Sequence, residues 1–136
     1  MLDSFLRRGE ELDLPRAVCA LLVAAARADG VFERDEAGAV AGLVAEQFGY
    51  SPQETAVLVT AVAAEERLDL FPVARWLVEN VSRAQRNEVL RLMWRVVFSD
   101  GRLEAREDVL MHRVGKLLEL PHRDVIALKL AAREGG

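Results

Sequence analysis

The sequence has 136 residues and a single cysteine, Cys19, so no disulfide can form within the chain. It has two histidines, His112 and His122, and neither has a second His or Cys at the spacing of a zinc motif. Isoleucine occurs once and threonine twice, so valine is the only abundant β-branched residue. No Gly-rich phosphate loop and no Gly-x-Ser-x-Gly nucleophile turn is present, so the common signatures of nucleotide hydrolysis and acyl transfer are missing. The longest uninterrupted apolar run, Ala17 to Ala26, is far shorter than the roughly 20 residues needed to cross a bilayer. An excess of basic charge is also lacking. The formal net charge is −4 and the arginines alternate with acids, which argues against a nucleic-acid-binding face. Glu10, Glu11 and Asp13 stand where the apolar core of a secretory leader would lie, so the expected compartment is the cytoplasm, with a peripheral position at the inner membrane as an alternative.

What remains is a helix-forming globular chain. Hydrophobic residues make up 51% and charged residues 29%, and Ala, Leu, Arg and Glu dominate. A chain of this length fits one domain, here residues 14–134 behind a lead of 1–13 in which Leu2, Phe5 and Leu6 form an apolar stripe. Ser51-Pro52-Gln53-Glu54 is a capping box with proline at the first helical position, and Ser82 with Gln85 is a second. Pro15 and Pro121 mark two further starts. These signals and the apolar spacing predict helices over about 14–28, 33–48, 52–66, 71–81, 83–98, 104–119 and 121–133. The first is apolar all round from Ala17 to Ala26, and only Arg91 and Arg95 interrupt Val89 to Phe98. Helices of that kind belong in the centre of a fold, so the sequence predicts an all-α bundle of about seven helices with two central ones. Cys19, Trp76 and Trp94 lie on apolar stretches and read as core, whereas Glu65 and Glu66 read as solvated charge at a helix end.

Both central helices run into the same corner. Asp29-Gly30-Val31-Phe32-Glu33-Arg34-Asp35-Glu36 and Asp100-Gly101-Arg102-Leu103-Glu104-Ala105-Arg106-Glu107 share the pattern Asp-Gly-x-apolar-Glu-x-x-Glu at a separation of 71. At the same separation Val40 pairs with Met111, Leu43 with Val114 and Ala56 with Ala127, which indicates a duplicated helix–corner–helix unit. Helix capping accounts for every position. Each Gly stops a helix, Phe32 and Leu103 pin the corner to the core, each Asp makes a local turn, and the Glu residues lie where the helix dipole favours acids. Cation binding accounts for the same pattern differently. Asp, Gly, apolar and Glu stand at the intervals of positions 5, 6, 8 and 12 of an EF-hand loop, and Glu33 and Glu104 at position 9. The candidate ligands are therefore Asp29, Glu33, Glu36, Asp100, Glu104 and Glu107, for a weakly held divalent cation such as calcium or magnesium. Positions 1 and 3 of such a loop would be Ala25 and Arg27, or Val96 and Phe98, so a complete EF-hand is excluded. His112 reads as a surface residue and His122 as a helix-start residue, and no catalytic group stands out.

With both Asp-Gly corners, the run Leu92-Met93-Trp94-Arg95-Val96-Val97-Phe98-Ser99-Asp100-Gly101 and the segment Leu120-Pro121-His122-Arg123-Asp124-Val125, the chain resembles the TerB family of small helical proteins named for tellurite-resistance operons. The likeness runs from about Pro15 to Ala132. It is nearest to the compact bacterial TerB-like branch, and similar to the TerB-like domain fused to some membrane-anchored J-domain co-chaperones. The resemblance implies an all-α bundle with an internal pseudo-repeat and a non-enzymatic role in stress response. It also implies a divalent cation or a protein partner, the partner membrane-associated or a second copy of the chain, at acidic positions that here are Asp29, Glu36, Asp100 and Glu107.

Overall fold

The computed structural model describes residues 12–28, 34–100 and 103–135, and of Arg34, Asp35 and Asp100 only the backbone. Seven α-helices and one 3-10 turn run through these residues: α1 (Leu14–Arg27), α2 (Arg34–Phe48), α3 (Pro52–Ala63), α4 (Leu70–Asn80), α5 (Arg83–Val97), the 3-10 turn Phe98–Asp100, α6 (Ala105–Leu117) and α7 (His122–Arg133). No strand occurs among the described residues.

The helices begin where local chemistry starts them. The Asp13 carboxylate accepts the Arg16 N–H (3.0 Å) ahead of Pro15. Both predicted capping boxes are formed, with Ser51 and Glu54 bonding reciprocally before α3 and Ser82 and Gln85 before α5. Such a cap contributes about 1 kcal/mol of helix stability. The ends also have causes. Beyond α6, Glu119 takes a left-handed backbone (φ 58°), and the Leu120 N–H reaches the Gly115 carbonyl (3.0 Å) while the Glu119 N–H reaches that of Lys116 (3.0 Å). That is a Schellman stop with Glu in the place glycine normally takes. Helix α3 stops at Ala63 rather than 66, because its last turn tightens and the Arg27 guanidinium binds the carbonyls of Ala63 and Glu65 (2.7 Å to the latter).

Helices α1 and α5 form the centre. Helix α1 packs on α2, α3, α4, α5 and α6, and α5 on α1, α2, α4, α6 and α7. Accordingly Ala17 to Val23, Ala25 and Ala26 are buried on α1, and Val89, Leu90, Leu92, Met93, Trp94, Val96 and Val97 on α5. The two halves of the chain share a packing pattern. Helices α1, α2 and α3 touch one another pairwise, as do α5, α6 and α7, and α4 connects the two trios. Val40 and Met111, and Leu43 and Val114, are buried at equivalent places. Past these the separation falls to 70, since α3 starts at Pro52 and α7 at His122, so Ala56 stands opposite Ile126 rather than Ala127. The shorter α6 accounts for the slip. Within the second trio, Arg83 on α5 donates to Asp124 on α7 (3.0 Å), a hydrogen bond that holds the Asp124 carboxyl below the ordinary carboxylate range.

Cys19 lies in the middle of α1 with no exposed surface, and burial pushes its thiol from 9.0 up to about 12. Burial disfavours the thiolate, so the folded chain holds this proton more tightly than the unfolded one. Stability from this source is complete below pH 9 and is lost as pH rises from there toward 12. The expected result is that iodoacetamide leaves the native chain unlabelled at pH 8 and labels it fully in denaturant, as read by mass spectrometry. Rapid native labelling would mean that α1 is not central.

Candidate functional site

The six acidic candidates fall into three groups. Asp29 and Glu33 lie outside the described residues. Asp100 closes the 3-10 turn after α5, where Ser99 Oγ donates to the Val96 carbonyl (2.7 Å). Glu36, Glu104 and Glu107 are described with their side chains. Glu104 is the exposed cap residue of α6. Glu36 and Glu107 each lie in the first turn of the helix after their corner, and both are buried, at 9% and 2% exposure.

That burial was not legible in the motif, in which these acids appear as dipole-facing surface charge. Residues four apart share a helix face, so Glu36 and Glu107 turn inward with Val40 and Met111, which face the core. The Glu107 carboxylate accepts the Glu104 N–H (2.9 Å). One acid of the second corner is therefore tied to the corner's own backbone, in the manner of the N3 residue of a capping box. Leu103 packs on the core as expected, and Phe32 lies outside the described residues.

The tertiary structure brings the second corner to the first repeat. The 3-10 turn Phe98–Asp100 packs on α2, the helix whose first turn carries Glu36. Between them lies an open cavity of about 330 Å³ lined by Gly38, Ala39, Gly42, Leu43, Glu46, Arg95 and Ser99. The two glycines leave α2 bare on that side, since a Cβ at either would meet nothing within 4 Å. Among the described residues no three His, Cys, Asp or Glu side chains are grouped so that they could hold a metal ion.

Other charged residues depart from the sequence reading. Glu65 is 7% exposed rather than solvated, because the chain after α3 turns back under the Arg27 guanidinium, whereas Glu66 is exposed. The histidines also differ from expectation. His112 and His122 are ten positions apart, at no ligand spacing, yet the α6–α7 turn stacks their rings with centroids 5.4 Å apart. Only a prediction that α6 and α7 are antiparallel neighbours, combined with helical phase, would have paired them. Trp94 is fully buried and Trp76 packs on the core, as expected.

A family model described as tellurite resistance protein TerB matches residues 15–130. No curated protein and no solved structure matches the chain.

Proposed function

The chain belongs to the TerB family, and we propose that it is a non-enzymatic stress-response module that binds a divalent cation, or a cationic group of a protein partner, through its acidic Asp-Gly corners. The observation that carries this reading is the placement of the second corner's turn against α2, the helix that holds the first corner's Glu36. Glu36 and Glu107 are buried at equivalent positions of the first turns of α2 and α6, and in this reading the acids of the two corners act together. Oxygen-only donors suit hard ions, so calcium, magnesium and manganese are the expected order of interest. The candidate ligands are Asp29, Glu33, Glu36, Asp100, Glu104 and Glu107. Action in the cytoplasm, with a partner at the inner membrane, is part of the same proposal. Among the described residues no helix is long and apolar enough to cross a membrane.

A second reading, in which the corners are helix caps only and the protein is an adaptor, is favoured by the Glu104 N–H to Glu107 contact. One substitution separates the two. Glu107→Gln keeps an acceptor for the cap and removes the charge, since capping boxes accept either residue. Isothermal titration of the chain with calcium, magnesium, manganese and zinc is expected to give saturable heat with at least one of the first three. That ion should also raise the melting temperature. Glu107→Gln should melt close to the parent without ion and lose most of the ion's effect. No heat from any of the three hard ions, with an unmoved melting temperature, leaves the adaptor reading standing.

A further inference from the structure

The stacked histidines belong to neither corner. Helices α6 and α7 are antiparallel across a short turn, with Asp108 meeting Lys129 at one end and His112 meeting His122 at the other. The two imidazoles are tilted by 29°, and with Lys116, Leu120 and Val125 they line a pocket of about 240 Å³. Of these, Leu120 and Val125 are buried. On the inner side the His112 ring meets the Trp94 ring edge-on at 6.5 Å. Asp108 Oδ1 lies 3.6 Å from His112 Nε2 and accepts a 2.8 Å hydrogen bond from Lys129 Nζ.

We propose that His112 and His122 together form a binding site for a borderline transition-metal ion, zinc or nickel, with the remaining coordination positions held by water. Geometry is the first argument. Metal–nitrogen bonds of about 2.0–2.1 Å place the centroids of two imidazoles on one tetrahedral ion about 5 Å apart. The observed centroid separation of 5.4 Å matches that value, and rotation of the two rings out of their 29° stack would aim one nitrogen of each at the ion. Asp108 is the second. A metal-bound histidine generally directs its other ring nitrogen at a carboxylate, which fixes the tautomer and raises the ring's basicity. At 3.6 Å the Asp108 contact is longer than a hydrogen bond, and the same ring rotation would have to shorten it to one. Lys129 fixes Asp108 in that position.

Ligand chemistry selects the ion. Imidazole suits zinc and nickel, whereas calcium and magnesium want oxygens, so this site and the acidic corners answer to different metals. Lys116 is the one cation lining the pocket; it is exposed, and its long side chain extends into water, where screening weakens its repulsion. Two protein ligands rather than three make the site open and exchangeable, suited to transient capture rather than to structural metal.

The test is calorimetric titration of the full chain with zinc and with nickel, with magnesium as the hard-ion control. One zinc per chain is expected, with loss of the saturable heat in both His112→Ala and His122→Ala. Asp108→Asn should weaken zinc by about tenfold or more, as removal of an outer carboxylate does. Glu107→Gln should leave zinc binding unchanged, so failure here and failure of the corner reading are separable. Both histidines are at least partly exposed, so their variants should fold, and an unchanged melting temperature in the absence of metal checks this. In the unaltered chain, zinc should shift the ring-proton NMR signals of both histidines. Absence of zinc heat with unmoved ring signals, or parent-like zinc affinity in either alanine variant, overturns the proposal.

Discussion

Trp94→Ala is expected to destabilise the protein by about 3–5 kcal/mol, the range for removing a large buried aromatic side chain. Trp94 is fully buried near the end of α5, between the helices of the second trio. Its ring stacks on Phe98 at 5.8 Å, meets the edge of His112, and has the Lys129 ammonium 5.7 Å from its centroid. The substitution therefore leaves a cavity at a junction of α5, α6 and α7 rather than at the end of one helix, and such a site collapses poorly. For a chain of this size the loss corresponds to a fall in melting temperature of roughly 10–20 °C. The indole N–H has no acceptor among the described residues, so its burial already carries a desolvation cost of about 1–3 kcal/mol. Trp94→Phe should consequently be much milder than Trp94→Ala. Urea unfolding of the three proteins, compared at equal slope, is the measurement. A loss below about 1 kcal/mol for the alanine variant would contradict the packing described for α5.

Gly115→Ala should destabilise as well, against the usual benefit of replacing a helical glycine. On an exposed helix the change would gain about 0.5–1 kcal/mol. In α6 an added Cβ would lie 2.6 Å from Cγ2 of Val125 on α7, far inside contact distance. Valine is stiff about its χ1 and cannot swing the methyl away, so the helices must separate. Overpacking of this kind costs about 1–3 kcal/mol, which outweighs the propensity gain. The decisive comparison is the double variant Gly115→Ala with Val125→Ala. If the clash is the cause, the second substitution restores part of the loss, and a double-mutant cycle gives a favourable coupling. Simple additivity would mean that α6 and α7 are not in contact at this point.

Much of the architecture was legible because helix starts and central helices are local properties. Ser51 with Glu54 and Ser82 with Gln85 bond as the spacing indicates, and the apolar runs around Leu21 and Trp94 became the two central helices. A run with no polar face can lie only where neighbours surround it. Errors arose where a long-range partner intervened. The sequence extends α3 to 66, but Arg27, far upstream in the chain, takes the carbonyls at its end and Glu65 is buried in consequence. The left-handed Glu119 and the shorter α6 shift the second half of the repeat by one residue, which no local pattern announces.

The acidic residues themselves, their Asp-Gly spacing and their occurrence in duplicate are properties of the sequence alone, as is the helical class. Which way Glu36 and Glu107 point, that the turn at Asp100 rests on α2, and that His112 meets His122 came only with the packed bundle. The physical reason is the same in each case. Caps and periodicity act over a few residues of one chain segment, whereas the phase of a helix about its axis, and the side chains it meets, are set by neighbours tens of residues away.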